Sequence, residues 1–147
     1  MLVDILTIAS LTIGALIFGY GFSASAVSHP AMMASRAETA VDYFKPFFHK
    51  SADTQLILSL ILWAFTAAIS FLSKDWRWFA AGTFLQISGP YTIFVLMPVN
   101  RRIMAEDADP HSEQMATDLK SWGPIHFPRT VIAGLVFIYL AYLSVMA

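Results

Sequence analysis

Four long apolar runs, separated by polar segments, organise this chain. They extend from Leu2 to Ala26, from Leu56 to Leu72, from Trp78 to Met97 and from Phe127 to Ala147. Each is close to the roughly 20 residues that cross a bilayer core about 30 Å thick. None carries a charge at its centre, where one would cost at least about 2.5 kcal/mol. The pattern predicts an all-α integral membrane protein whose core is a four-transmembrane-helix bundle.

Composition supports this prediction and weakens its alternatives. Hydrophobic residues make up 57% of the 147 residues and charged residues 13%, whereas soluble domains carry about twice that share of charge. A soluble bundle would be apolar on one stripe of each helix, but these runs are apolar on every face. The first run lacks the basic start of a signal peptide, and Asp4 has the wrong sign. We therefore expect residues 1–147 to form a single transmembrane domain.

The segment between the first two runs, loop 1 (Val27–Gln55), contains a helical pattern of its own. Ser35 and Glu38 have the spacing of a capping box, which opens a helix by pairing its first amide groups. Apolar residues then recur on one helical face, and Pro46 interrupts the pattern. The sequence predicts a short amphipathic helix here, lying in the membrane interface.

The segment between the last two runs, loop 3 (Pro98–His126), has a similar pattern. Asp109 can cap a helix whose first residue is a proline, and about three turns fit between His111 and Trp122. The following Gly123-Pro124 pair predicts the end of that helix. Two short interfacial helices, one in loop 1 and one in loop 3, would thus cover the same end of the bundle.

Basic residues predict the orientation. Loops 1 and 3, together with Arg129 just beyond loop 3, hold seven Lys and Arg residues, whereas the connection between the second and third runs holds two. Cytoplasmic loops of membrane proteins carry the excess of basic residues. Loops 1 and 3 are therefore expected on the cytoplasmic side, with both termini on the opposite side.

Potentially reactive side chains collect at the end of the bundle that carries loops 1 and 3. This end holds His29, His49, Asn100, Trp122, His126 and Arg129. The third run adds Gln86, Ser88 and Pro90 inside the membrane, where a proline frees a backbone carbonyl. Such a break needs neighbouring groups or a cavity to satisfy it. Gln86 and Ser88 are explained by a kink with hydrogen bonds between helices, whereas Asn100 suggests a functional role.

Composition also excludes several classes of function. The chain has no cysteine, which rules out disulfides, thiolate metal sites, iron–sulfur clusters and a cysteine nucleophile. Its net charge is −1, and its basic residues are scattered, so no nucleic-acid partner is expected. The expected partners are the lipid bilayer and a small apolar substrate. Small-residue steps such as Ala15 to Gly19 and Gly21 to Ser25 also suit a homo-oligomer.

Two segments resemble a known family. The segment Pro90-Tyr-Thr-Ile-Phe-Val-Leu-Met-Pro-Val-Asn100 resembles the "P-x-T … P-T-N" segment of the anthrone oxygenase-like proteins, a family of small four-span membrane proteins of mostly unknown function. Trp122, His126 and Arg129 fit that family's "W-x-x-x-H/N-x-x-R" segment before the last span. Val99 departs from the pattern, because threonine is usual there. The resemblance implies a monooxygenase that oxidises a polyketide anthrone to an anthraquinone.

This chemistry suggests a role for each candidate residue. His126 would be the base that removes the anthrone's acidic proton, and Arg129, on the same helical face, would hold the enolate oxygen. Asn100 would donate a second hydrogen bond, and His29 is a second candidate base. The candidate substrate-binding residues are Trp122, Tyr91, Thr92, Phe47 and Phe48. Dioxygen chemistry without a cofactor is the favoured interpretation.

Other interpretations remain open at this stage. His29, His49 and His126 are candidate ligands for a metal ion or a haem. No two of them have the i, i+4 spacing of a helical ligand pair, so the ligands would come from separate elements. A non-enzymatic subunit or assembly partner is a further alternative. A transporter or channel is the least favoured, because no acidic residue lies in mid-membrane and no inverted repeat is visible.

Overall fold

The computed structural model describes residues 1–146, which are almost entirely helical and contain no strand. The helices are α1 (Leu2–Ser23), α2 (His29–Met33), α3 (Ala37–Ser73), α4 (Trp76–Leu85), α5 (Ser88–Tyr91), α6 (Met97–Ile103) and α7 (Glu113–Met146). Two π-helical turns, Ala24–Ser28 and Thr92–Leu96, join α1 to α2 and α5 to α6.

These elements form four helical segments that are long and apolar enough to cross a membrane. They are Leu2–Met33, Ala37–Ser73, Trp76–Ile103 and Glu113–Met146. Large apolar side chains cover the outside of the bundle, Phe94 among them at 78% exposure, as expected of a surface that meets lipid. The predicted four-helix bundle is confirmed, and the chain is a multi-pass membrane protein.

The prediction of a separate short helix in loop 1 is wrong, because α3 continues through Pro46. A proline inside a helix removes a hydrogen bond and crowds the preceding turn, but the fully buried Phe44 and the buried Val41 anchor this part of α3 in the core. The predicted capping box is also absent. Ser35 Oγ instead donates to the Met32 carbonyl at 2.7 Å, and Arg36 precedes the first residue of α3.

The prediction for loop 3 needs a similar correction. The helix begins at Glu113, after Ser112 Oγ accepts from the Met115 amide at 3.1 Å, while Asp109 accepts from the His111 amide in the preceding turn. It then passes through Gly123 and Pro124 and becomes the last span without a break. A Cβ at Gly123 would collide with the His29 ring. This glycine therefore provides close packing instead of a helix end.

Both π-helical turns precede a proline by the same interval. Pro30 and Pro98 each lie two residues beyond the turn, and in a regular α-helix each ring would clash with the carbonyl four residues earlier, at Ala26 and Phe94. Those carbonyls lie inside the widened turns, so the wider geometry relieves the clash. π-helical turns are frequent at functional sites because they rotate the face that follows.

Two apolar clusters hold the bundle together. One joins α1, α3, α4 and α7 in the half of the bundle near the termini, where Gly82 lets α4 approach Thr66 of α3 too closely for any larger residue. The second cluster, called here the end cluster, surrounds Trp122 and includes Met32, Phe44 and Ile103. It closes the end of the bundle that carries loops 1 and 3.

An ion pair between an exposed arginine and a buried aspartate joins α6 to α7 beside the end cluster. Arg102 donates to both carboxylate oxygens of Asp118, at 2.8 and 2.7 Å, and Gln114 donates to the same group at 3.1 Å. The Asp118 side chain is 3% exposed, whereas that of Arg102 is 48% exposed.

Replacing Asp118 by alanine should destabilise the protein by about 1–3 kcal/mol, because the buried carboxylate accepts charge-assisted hydrogen bonds that alanine cannot replace. Thermal unfolding in detergent would measure this loss. Arg36→Ala is the matched control, since its contact with Glu38 is exposed and 3.6 Å long. Equal melting temperatures for Asp118→Ala and the control would contradict the assigned role of the pair.

Candidate functional site

A cavity of about 420 Å³ lies among the four spans, within the range of small-molecule sites. Its walls come from α1, the middle of α3, the third span and the first half of α7. The predicted residues that line it are Phe47, Phe48, Thr92, Asn100, Trp122, His126 and Arg129. Seven residues chosen from the sequence therefore meet around one space.

The charged residues that line this cavity are all basic. Arg101 and Arg129 line it, and no aspartate or glutamate does. A low-dielectric space that contains cations without carboxylates favours an anion, or a group that becomes anionic during a reaction. The cavity thus suits an acidic organic molecule better than a cationic one.

Arg129 is the most unusual group in the cavity. Its Nε is buried and has no hydrogen-bond partner, and no carboxylate of residues 1–146 lies within 4 Å of its guanidinium. The residue as a whole is partly exposed, but a donor of a cationic group that is buried without an acceptor is costly. The adjoining cavity leaves room for an acceptor, so Arg129 is a candidate ligand contact.

His126 lies one helical turn before Arg129 and is held on two sides. Its Nδ1 lies 3.0 Å from Ser25 Oγ, and its ring stacks on Trp122 with centroids 4.6 Å apart. Ser25 Oγ in turn lies 3.2 Å from Thr130 Oγ1. If Nδ1–H donates to Ser25 and Ser25 donates to Thr130, the lone pair of His126 Nε2 is left free to accept a proton.

Asn100 is 1% exposed, and its amide orientation follows from its partner. Trp122 Nε1 can only donate, and it does so to Asn100 Oδ1 at 2.9 Å. The amide nitrogen of Asn100 meets only the Met97 sulfur, at 4.0 Å, which is a weak acceptor. Asn100 therefore keeps a strong hydrogen-bond donor for a ligand in the cavity.

Among the predicted aromatic residues, only some line the cavity. Phe47, Phe48 and Trp122 do so, and Trp122 also packs against Phe44, which lies edge-on with ring centroids 5.5 Å apart. Tyr91 is absent from the lining. Its hydroxyl donates to the Ile125 carbonyl at 2.8 Å and links the third span to α7.

The three candidate metal ligands are not brought together. His29 Nε2 donates to the Leu119 carbonyl at 2.9 Å, the other edge of its ring packs against Gly123, and the residue lies outside the cavity lining. His49 is exposed. Within residues 1–146, no three His, Cys, Asp or Glu side chains form a group that could hold a metal ion.

Several residues at the site were not predicted from the sequence. Ser25 belongs to a small-residue stretch that was assigned to helix packing, and only the π-helical turn directs it toward His126. Arg101 was counted only among the basic residues that predict the orientation, and Ser51 and Gln55 lie in the predicted loop 1. The continuous helix α3 is what places these last two residues in the wall.

The chain is similar to one known protein family over most of its length. The family model described as anthrone oxygenase matches residues 44–139, which is more than half of the chain and includes Asn100, His126 and Arg129. No curated protein and no solved structure matches the chain. By the extent of the family match, this chain belongs to the anthrone oxygenase family.

Proposed function

We propose that this protein is a membrane-embedded oxygenase that converts an anthrone-type substrate and dioxygen into an anthraquinone and water. The observation that carries the proposal is the buried, unpaired Nε of Arg129 beside His126, in a cavity without carboxylates. Membership of the anthrone oxygenase family supports the choice of substrate class.

The proposed reaction balances without an external reductant. The methylene carbon of the anthrone loses two hydrogens and becomes a carbonyl, which is a four-electron oxidation. Dioxygen accepts these four electrons, one oxygen atom entering the new carbonyl and the other leaving as water. The protein therefore needs to supply proton transfer and charge stabilisation, and no electrons.

His126 carries out the proton transfer in this proposal. Its Nε2 takes a proton from the substrate methylene, and the imidazolium that forms donates through Nδ1 to Ser25. The resulting enolate reacts with dioxygen to give a peroxide at the former methylene carbon. The proton held by His126 passes to this peroxide, and the freed Nε2 then takes the second proton from the same carbon. The O–O bond breaks as the carbonyl forms, and the departing hydroxide takes that proton back from His126 to become water.

Arg129 and Asn100 stabilise the negative charge. As the first proton leaves, charge moves through the ring to the ketone oxygen, which gains hydrogen bonds from the guanidinium and from the Asn100 amide. Phe47 and Phe48 provide apolar contacts for the flat rings. His29 has no place in this scheme, because its ring is committed to Leu119 and Gly123.

We place this site toward the cytoplasm. The excess of basic residues at the end that carries loops 1 and 3 favours that orientation, with both termini on the opposite side. Cysteines introduced at Arg36 and at Lys74 would test this orientation in cells or oriented vesicles. The measurement is the access of a thiol reagent to each cysteine, or of a protease to the same two segments.

The function is tested with the full chain in liposomes that contain an anthrone. We expect dioxygen uptake well above the spontaneous rate, one anthraquinone per dioxygen consumed and one ¹⁸O atom per product from ¹⁸O₂. Empty liposomes and heat-inactivated protein control for autoxidation. Metal analysis of the same sample decides the rival interpretation, because a stoichiometric metal would contradict the cofactor-free scheme. Uptake no faster than in empty liposomes would refute the enzymatic proposal.

A further inference from the structure

The cavity reaches the outer surface of the bundle between α3 and the third span. Leu56 on α3 and Ile93 on the third span both line the cavity, yet they are 58% and 61% exposed. Gly89 also lines it and is exposed, and a Cβ at this position would meet nothing within 4 Å. The wall is therefore open at these three residues.

This opening lies at the level of the bilayer core. The turn between α3 and α4 marks one membrane face. Leu56 is 17 residues from Ser73 at that turn, or about 26 Å at 1.5 Å per residue. Gly89 is 13 residues from Trp76, or about 20 Å. Both distances fall within the roughly 30 Å of hydrocarbon, so the opening faces lipid.

On both sides of this opening, contacts of α3 and the third span close the wall of the cavity. Toward the α3–α4 turn, Gln86 Nε2 donates to the Ser59 carbonyl at 3.1 Å and joins the two spans. Toward the other end, Phe48 and Val99 pack against the end cluster. Between these contacts, α4 has ended at Leu85 and the third span continues past Gly89-Pro90.

The end of the bundle that carries loops 1 and 3 is tightly packed beside the cavity, although the exposed Arg101 also lines the cavity there. Met32, Phe44 and Ile103 of the end cluster are at most 5% exposed, and the pair of Arg102 with Asp118 ties α6 to α7 beside them. A flat aromatic molecule that passes through the end cluster would have to displace these packed side chains. A molecule dissolved in the bilayer would meet the exposed side chains of Leu56 and Ile93 and, between them, the open space at Gly89.

We propose that the opening bounded by Leu56, Gly89 and Ile93 is a lateral portal through which a flat, lipid-dissolved aromatic molecule enters from the bilayer. The aromatic nature of this ligand rests on the proposed function, whereas its entry from lipid rests on the geometry alone. The ligand passes between α3 and the third span and stops with its acidic oxygen at Arg129 and Asn100.

The portal can be tested at Gly89 because the chain has no native cysteine. Gly89→Cys places one thiol in open space, where it is labelled with methyl or benzyl methanethiosulfonate in proteoliposomes. Ile87→Cys is the matched control, since Ile87 is 52% exposed on the same span and does not line the cavity. Ile93→Cys serves as a second portal variant if Gly89→Cys does not fold.

The readout is the binding of 1,8-dihydroxyanthraquinone from the bilayer. This binding is monitored by the quenching of tryptophan fluorescence. We expect the benzyl label on the Gly89→Cys variant to slow association and dissociation together by at least 10-fold, with an unchanged dissociation constant. The methyl label on this variant, and either label on Ile87→Cys, should have little effect.

Three results would overturn the portal. They are unchanged rates after benzyl labelling of Gly89→Cys, equal slowing in labelled Ile87→Cys, and absence of binding to the unlabelled protein. Binding with the expected rates but without anthrone oxidation would overturn the proposed function alone.

Discussion

Replacing Arg129 by leucine is expected to reduce anthrone turnover by about 100- to 1,000-fold, which is the usual effect of removing one preorganised donor from a developing oxyanion. The same change should leave the melting temperature unchanged or raise it. The reason is that Arg129 Nε is buried without a partner, so leucine removes an uncompensated desolvation cost. Dioxygen uptake and thermal unfolding of the same preparation would measure both effects.

Two further variants sharpen this prediction. Arg129→Lys keeps the charge and loses the planar fork of donors, so we expect partial activity. Arg36→Leu removes an exposed cation far from the cavity and should leave turnover unchanged. A marked loss of stability in Arg129→Leu would mean that the guanidinium supports the fold, and full activity in that variant would exclude it from the reaction.

The four spans could be predicted from the sequence because lipid solvation imposes a length and a composition on every crossing helix. The residues at which the helices begin and end were harder to predict. Pro46 and Pro124 are strong local signals for a helix end, and both lie inside continuous helices. Tertiary packing decided these cases, through the buried Phe44 beside Pro46 and the contact of His29 with Gly123.

The site could be predicted in part. The placement of Asn100, His126 and Arg129 around one space follows from their common end of the bundle, which the order of spans determines. The roles of Ser25 and His29 could not be predicted in this way. A π-helical turn adds one residue to the helical repeat and changes which side chain faces inward. Beyond a π-helical turn, a count of 3.6 residues per turn therefore no longer predicts which residues share a helical face.

Replacing His126 by phenylalanine should reduce turnover by about 100- to 10,000-fold, the range for loss of a positioned general base. Phenylalanine keeps the stack on Trp122, so the fold and the shape of the cavity are preserved. Proton abstraction can be isolated without dioxygen, by following exchange of the anthrone methylene protons for deuterium in D₂O under anaerobic conditions. The wild-type protein should accelerate this exchange, and His126→Phe should not.

The Ser25→Ala variant tests whether His126 acts as a base or only shapes the cavity. Ser25 meets His126 Nδ1 at 3.0 Å and is absent from the cavity lining, so its loss cannot remove a substrate contact. We expect kcat and the anaerobic exchange rate to fall together, by less than in His126→Phe, while KM stays the same. Exchange that survives in His126→Phe would assign the proton transfer to another group. Exchange lost only in His126→Phe and weakened in Ser25→Ala would identify His126 as the base and Ser25 as the residue that orients it.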